Sequence, residues 1–119
     1  MTARELVARC HADPGHFQLH VNEFVDDFRG ANLRDRVMMA ADGPPTSGPI
    51  EGLVAAVVGA LCREGEADPP AWAATTRSPE PFFVMSARGF ALRLRLMLES
   101  PPPFRARNVF VPESYLDRA

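Results

Sequence analysis

Pro49-Ile50-Glu51-Gly52-Leu53-Val54-Ala55-Ala56-Val57-Val58-Gly59-Ala60-Leu61-Cys62-Arg63 is the stretch on which the fold turns. Ile50, Leu53, Val54, Val57, Val58, Leu61 and Cys62 recur at the helical period with almost no polar residue between them. Valines lower helix propensity, but about 14 residues at this spacing outrun an ordinary strand of five or six. The segment therefore predicts a buried central helix over 49–63, entered at Pro49, where a missing N–H costs nothing. Its uncharged part, Gly52 to Cys62, is well short of the roughly 20 residues a bilayer span needs, so no membrane segment is expected.

Working outward, Thr2 and Glu5 have the capping-box spacing, and Leu6, Val7 and Cys10 behind them predict a first helix over about 3–11. Asp13-Pro14 reads as N-cap and first helical residue of a second helix, whose stripe Phe17, Val21, Phe24, Val25 and Phe28 runs to a stop at Gly30. Asn32 caps a third helix through Leu33, Val37, Met38 and Ala41, broken by Gly43-Pro44-Pro45. On the far side, Pro69-Pro70-Ala71-Trp72 makes one helical turn that buries the single Trp, and the prolines of Ser78 to Phe83 enforce extended backbone.

Residues 90–98 satisfy two periods. Leu92, Leu94, Leu96 and Leu98 alternate with Arg93 and Arg95 as in a strand, whereas Phe90, Leu94, Met97 and Leu98 share one helical stripe. The segment has no β-branched residue, so helix is the expectation, over 88–99. Pro101-Pro102-Pro103 ends it; Phe104–Arg107 then reads as a turn, Asn108 as a left-handed stop, Val109–Val111 as a short extended piece, and Pro112 as the start of a last turn carrying Tyr115 and Leu116. The expected fold is all-α: a single domain over 1–119 of four to six helices, with 14–29, 49–63 and 88–99 as the core. An N-terminal helical part, 1–68, is followed by an Arg- and aromatic-rich portion, 69–119, whose proline-rich tail wraps that core.

The 119 residues are 46% hydrophobic and 24% charged, which fits one globular domain and excludes whole-chain disorder. Charges at Arg4, Glu5 and Arg9 interrupt the start before a signal-peptide core can form, so a cytoplasmic protein with reduced cysteines is expected at Cys10 and Cys62. The net charge of −2 argues against bulk nucleic-acid affinity. That charge is uneven: residues 1–76 carry six Arg against eleven acids, and residues 77–119 seven Arg against four. Every basic residue is Arg.

His16, His20 and Glu23 lie along one helical line and are the candidate metal ligands; a solvated polar helix face accounts for the same pattern and is the reading adopted. Cys10 and His11 are sequence neighbours that point about 100° apart and make no dyad, and neither a Gly-x-Ser-x-Gly elbow nor a phosphate-cradling Gly-rich loop occurs. No cofactor is expected, and no enzymatic activity. Arg88, Arg105 and Arg107, interleaved with Phe104, Asn108, Phe110 and Tyr115, combine planar donors with aromatic surface, as protein interfaces do. These seven residues are the expected partner-binding set. Another protein is the expected partner, and nucleic acid the alternative.

The same tail carries a resemblance. Leu92 to Leu98, Glu99-Ser100-Pro101, Phe104-Arg105-Ala106-Arg107-Asn108-Val109-Phe110-Val111 and the closing Leu116-Asp117-Arg118-Ala119, with Pro81-Phe82-Phe83 before them and Asp13-Pro14 through Asp27-Phe28 in the first half, resemble a group of small bacterial proteins. Their tails read Leu-x-Glu-Ser-Pro-x-x-Phe-Arg-x-Arg-Asn-x-Phe-Val. The resemblance implies a place beside a nucleotidyltransferase-like protein, as the antitoxin-like, neutralising half of a two-gene system. It assigns no activity to any residue.

Overall fold

A computed structural model describes residues 1–85 and 89–117, and its chain is mostly helical. Helix α1, Ala3–Ala12, opens with the expected capping box: the Thr2 hydroxyl accepts from the Glu5 N–H, and the Glu5 carboxylate accepts from the Thr2 N–H. Its inner side buries Ala3, Leu6, Val7 and Cys10. Asp13 does not cap the next helix. A single 3₁₀ turn, Pro14–His16, comes first, and α2 runs Phe17–Gly30 with Val21, Phe24, Val25 and Phe28 buried. The physical reason is competition, because the Asp13 carboxylate is taken by His16 and His20 and is lost to the backbone. Helix α3, Leu33–Ala41, is capped by Asn32 and buries only Ala40.

Helix α4, Pro49–Glu64, is the centre of the molecule. Every residue from Glu51 to Gly59 is buried, as are Leu61 and Cys62. Helix α1, α2, the one-turn helix α5 (Ala71–Thr75) and the C-terminal segment all pack on it. Trp72 of α5 donates through Nε1 to the Ala40 carbonyl at 2.7 Å. Gly43 lies against that indole so closely that a Cβ there would meet Trp72 at 2.5 Å.

The rest departs from expectation in three ways. First, Phe82–Phe83 (β1) and Val109–Phe110 (β2) form a two-stranded parallel sheet, Phe82 opposite Val109 and Phe83 opposite Phe110, which joins segments read separately as extended. Second, residues 90–99 are helical, but α6, Phe90–Glu99, is not a core helix: of its side chains only Leu96 is buried. Third, the tail is core. Helix α7 (Pro102–Arg105), Phe104, Val109 and Val111 belong to the same buried cluster as α4. Seven α-helices are present among the described residues rather than four to six, because the single turns α5 and α7 both close into helices. Cys10 and Cys62 are buried free thiols, and none of the described helices is long and apolar enough to cross a membrane.

Candidate docking surface

Six of the seven residues expected to bind a partner lie among the described residues, and these six do not form one exposed surface. Phe104 is fully buried and meets Tyr115 edge-on, 5.5 Å between centroids, while the Tyr115 hydroxyl donates to Gln18 Oε1 at 2.7 Å. Phe110 is buried against Phe83. Asn108 takes the left-handed φ of 62° and donates from Nδ2 to the Ser78 carbonyl. Arg107 is buried too. Its Nε donates to the Ala73 carbonyl at 2.8 Å and its Nη1 to the Pro103 carbonyl at 2.7 Å, over Gly59 of α4. Desolvation lowers its pKa. Of the six that lie among the described residues, Arg105 alone is exposed; Arg88 falls outside them. The aromatics and Arg107 hold the chain's own interior together, and the motif signal at 104–111 is one of packing.

The histidines are engaged as well. His16 Nδ1 lies 2.9 Å from Asp13 Oδ1 and His20 Nε2 lies 3.0 Å from Asp13 Oδ2, and these two hydrogen bonds hold the Asp13 carboxyl below its ordinary value. Glu23 is turned away toward Arg9, at 3.5 Å. His16, His20 and Glu23 are therefore not brought together, and no group of three or more His, Cys, Asp or Glu among the described residues is arranged to hold a metal ion. The third histidine, His11, faces the buried Glu51, whose Oε2 also accepts from the Thr46 hydroxyl. Burial pushes the Glu51 carboxyl up, but Thr46, His11 and its own backbone N–H together hold it below the ordinary value. The arrangement ties the end of α1 and the 43–48 loop to the first turn of α4. Burial pushes the Cys10 thiol up to about 11, which keeps it protonated near neutral pH.

What the sequence hid is the direction in which α6 faces. Leu96 packs inward against Phe110 and Phe83, and the Ser100 hydroxyl one turn later accepts from the Val111 N–H at 2.8 Å, pinning the helix end to the residue that follows β2. Inward-facing Leu96 fixes the rotation of the helix, and at 100° per residue the stripe Phe90, Leu94, Met97 and Leu98 must look outward. It does: Phe90 is 80% exposed and Leu98 68%, with Leu94 and Met97 around 40%. Arg95 pairs with Glu99 beside the stripe, and the Arg93 guanidinium sits over the Phe83 ring. The sequence signal was present in that α6 has scarcely any polar face, which leaves apolar side chains outward whichever way it turns.

A second unpartnered apolar feature lies on the other half of the chain. Helix α3 leaves Leu33, Val37 and Met38 exposed. Between α3 and the end of α4 is a groove of about 260 Å³, lined by Phe28, Leu33, Val37, Leu61, Cys62 and Pro70. Arg36 also lines it, but its guanidinium donates to the carbonyls of Phe28, Arg29 and Ala31 and closes the end of α2. Asp68 stands at the rim. No family model, curated protein or solved structure matches this chain.

Proposed function

We propose that this chain is a non-enzymatic protein-interaction module that docks through the outward face of α6. The observation that carries the reading is the stripe Phe90, Leu94, Met97 and Leu98 on the solvent side of a helix whose one buried side chain is Leu96. Monomeric proteins rarely leave such stripes uncovered. The spacing i, i+4, i+7, i+8 is that of a helix laid into an apolar groove, and the arginines alongside set the partner's chemistry: apolar floor, acidic rim. The docking set is thus moved from the expected tail residues to α6, with Arg105 retained at its margin. A neutralising protein in a two-gene system works by covering its partner, which asks for an adhesive face and no catalytic set, and the reading fits that role.

The test is capture of partners on the tagged chain and on its Leu94→Glu variant at moderate salt, with protein and nucleic acid read together. A stoichiometric protein held by the parent chain and released by Leu94→Glu, at unchanged melting temperature, is the expected result. Retention by both sinks the α6 assignment. Nucleic acid that leaves steeply with added salt would install a nucleic-acid regulator instead.

A further inference from the structure

We infer that the groove between α3 and α4 receives α6 of a second copy of this chain, so that copies associate head to tail. The inference rests on the docking role of α6 and names its partner. Three observations meet. The stripe from Phe90 to Leu98 and the α3 wall from Leu33 to Ala41 each span eight residue steps, about 12 Å of helix, so helix and groove match in length. The groove is apolar as the stripe is apolar: Val37, Leu61 and Pro70 line the one, and Leu94 and Met97 stand on the other. The charges also oppose. Asp68 lines the groove beside the negative end of the α4 dipole, and the Arg36 guanidinium there is engaged by backbone carbonyls, whereas α6 carries Arg93 and Arg95 against one acid, Glu99. The halves of the chain that hold the two features differ in the same sense, acidic through residue 76 and basic beyond it.

Groove and stripe are different patches, so the contact is heterologous, and each copy keeps one of each open for the next. Mass measurement by light scattering over a concentration series decides it. The expected result is growth of the parent chain beyond a dimer as concentration rises. Val37→Glu and Leu94→Glu, both at exposed positions, should each be monomeric alone. Mixed in equal amounts they should form a one-to-one dimer and stop there, because the first keeps its helix and the second its groove. A parent chain that stays monomeric up to its solubility limit overturns the inference and leaves the α6 reading standing. So does assembly that survives Val37→Glu but not Leu94→Glu, which means the helix docks elsewhere. Assembly that survives both overturns the inference and removes the support for α6 as well. Should either variant lose its helical circular dichroism, Asp68→Arg takes its place: a several-fold weaker association supports the rim charge, and an unchanged one overturns it.

Discussion

Gly52 lies in α4 where the chain before β1 crosses it, and a Cβ there would stand 2.5 Å from the Ser78 backbone nitrogen and 3.0 Å from the Arg77 carbonyl carbon. Both obstacles are backbone, and Ser78 cannot retreat freely because its N–H donates to the Arg107 carbonyl at 2.9 Å. Gly52→Ala is expected to cost about 1–3 kcal/mol of overpacking. Gly30, with nothing within 4 Å of its own Cβ position, is the control: Gly30→Ala should be neutral or stabilising by up to about 1 kcal/mol. Urea unfolding of the pair checks both signs, and equal midpoints would mean that 77–78 does not press on α4. Asp13 gives a second residue-level expectation, this time in pH. Its folded pKa is lowered by hydrogen bonds to His16 and His20. A depressed carboxyl contributes stability that is present above its unfolded value and lost as pH falls through the folded one. Asp13→Asn should therefore melt below the parent chain near neutrality, and the gap should close as pH drops under about 4, the ordinary range for Asp. A gap that stays constant through the acid range would show that charge at Asp13 is irrelevant.

Helix α6 is where an element's period and its orientation part company. Leu94→Ala removes an outward side chain and should move stability by less than about 0.5 kcal/mol. Leu96→Ala, two residues away, empties the small cluster with Phe83 and Phe110 and should cost about 2 kcal/mol. Hydrogen exchange on the two variants separates them: Leu96→Ala should speed exchange across 90–99, and Leu94→Ala should leave it alone. Equal acceleration would mean that the stripe is held against the body of the protein. Local information was sufficient for α1 and for the inward face of α2, where a capping box and an apolar stripe flanked by polar residues leave one way to face the core, and for α4, which is apolar nearly all round and is buried whichever way it turns. It was insufficient for α6. A period reports which residues share a face, and only the contact of Leu96 with Phe110 and Phe83 decides where the opposite face looks. The pairing of β1 with β2 was equally illegible, since two-residue strands carry no pattern of their own and exist through the Phe82–Asn108 and Val84–Phe110 backbone bonds.

At the scale of the whole molecule, the segment that reads as a tail is one wall of the core. Arginine and aromatic residues in a proline-jointed stretch look like surface by composition. What inverts the reading is Gly59, far away in sequence, whose missing side chain leaves room for the Arg107 guanidinium over α4. Around that point Phe104, Val109 and Val111 fill the interior, and Arg29 donates to the Leu116 carbonyl at 2.7 Å to hold the last turn on α2. Phe104→Ala alone removes about 3–5 kcal/mol, against a total of about 5–15 for a domain of this kind. A chain ended after Ser100 loses Phe104, Arg107, Val109 and Val111 together, strips β1 of its only partner strand among the described residues and uncovers α4 along the turn of Gly59. It should lose its cooperative thermal transition altogether, keep part of its helical signal and bind a dye for exposed apolar surface. Arg105→Glu, on the exposed side of the same tail, should leave the transition where it is. If the shortened chain instead melts cooperatively at the parent temperature, residues 101–117 are a detachable appendage, and the docking surface returns to the tail.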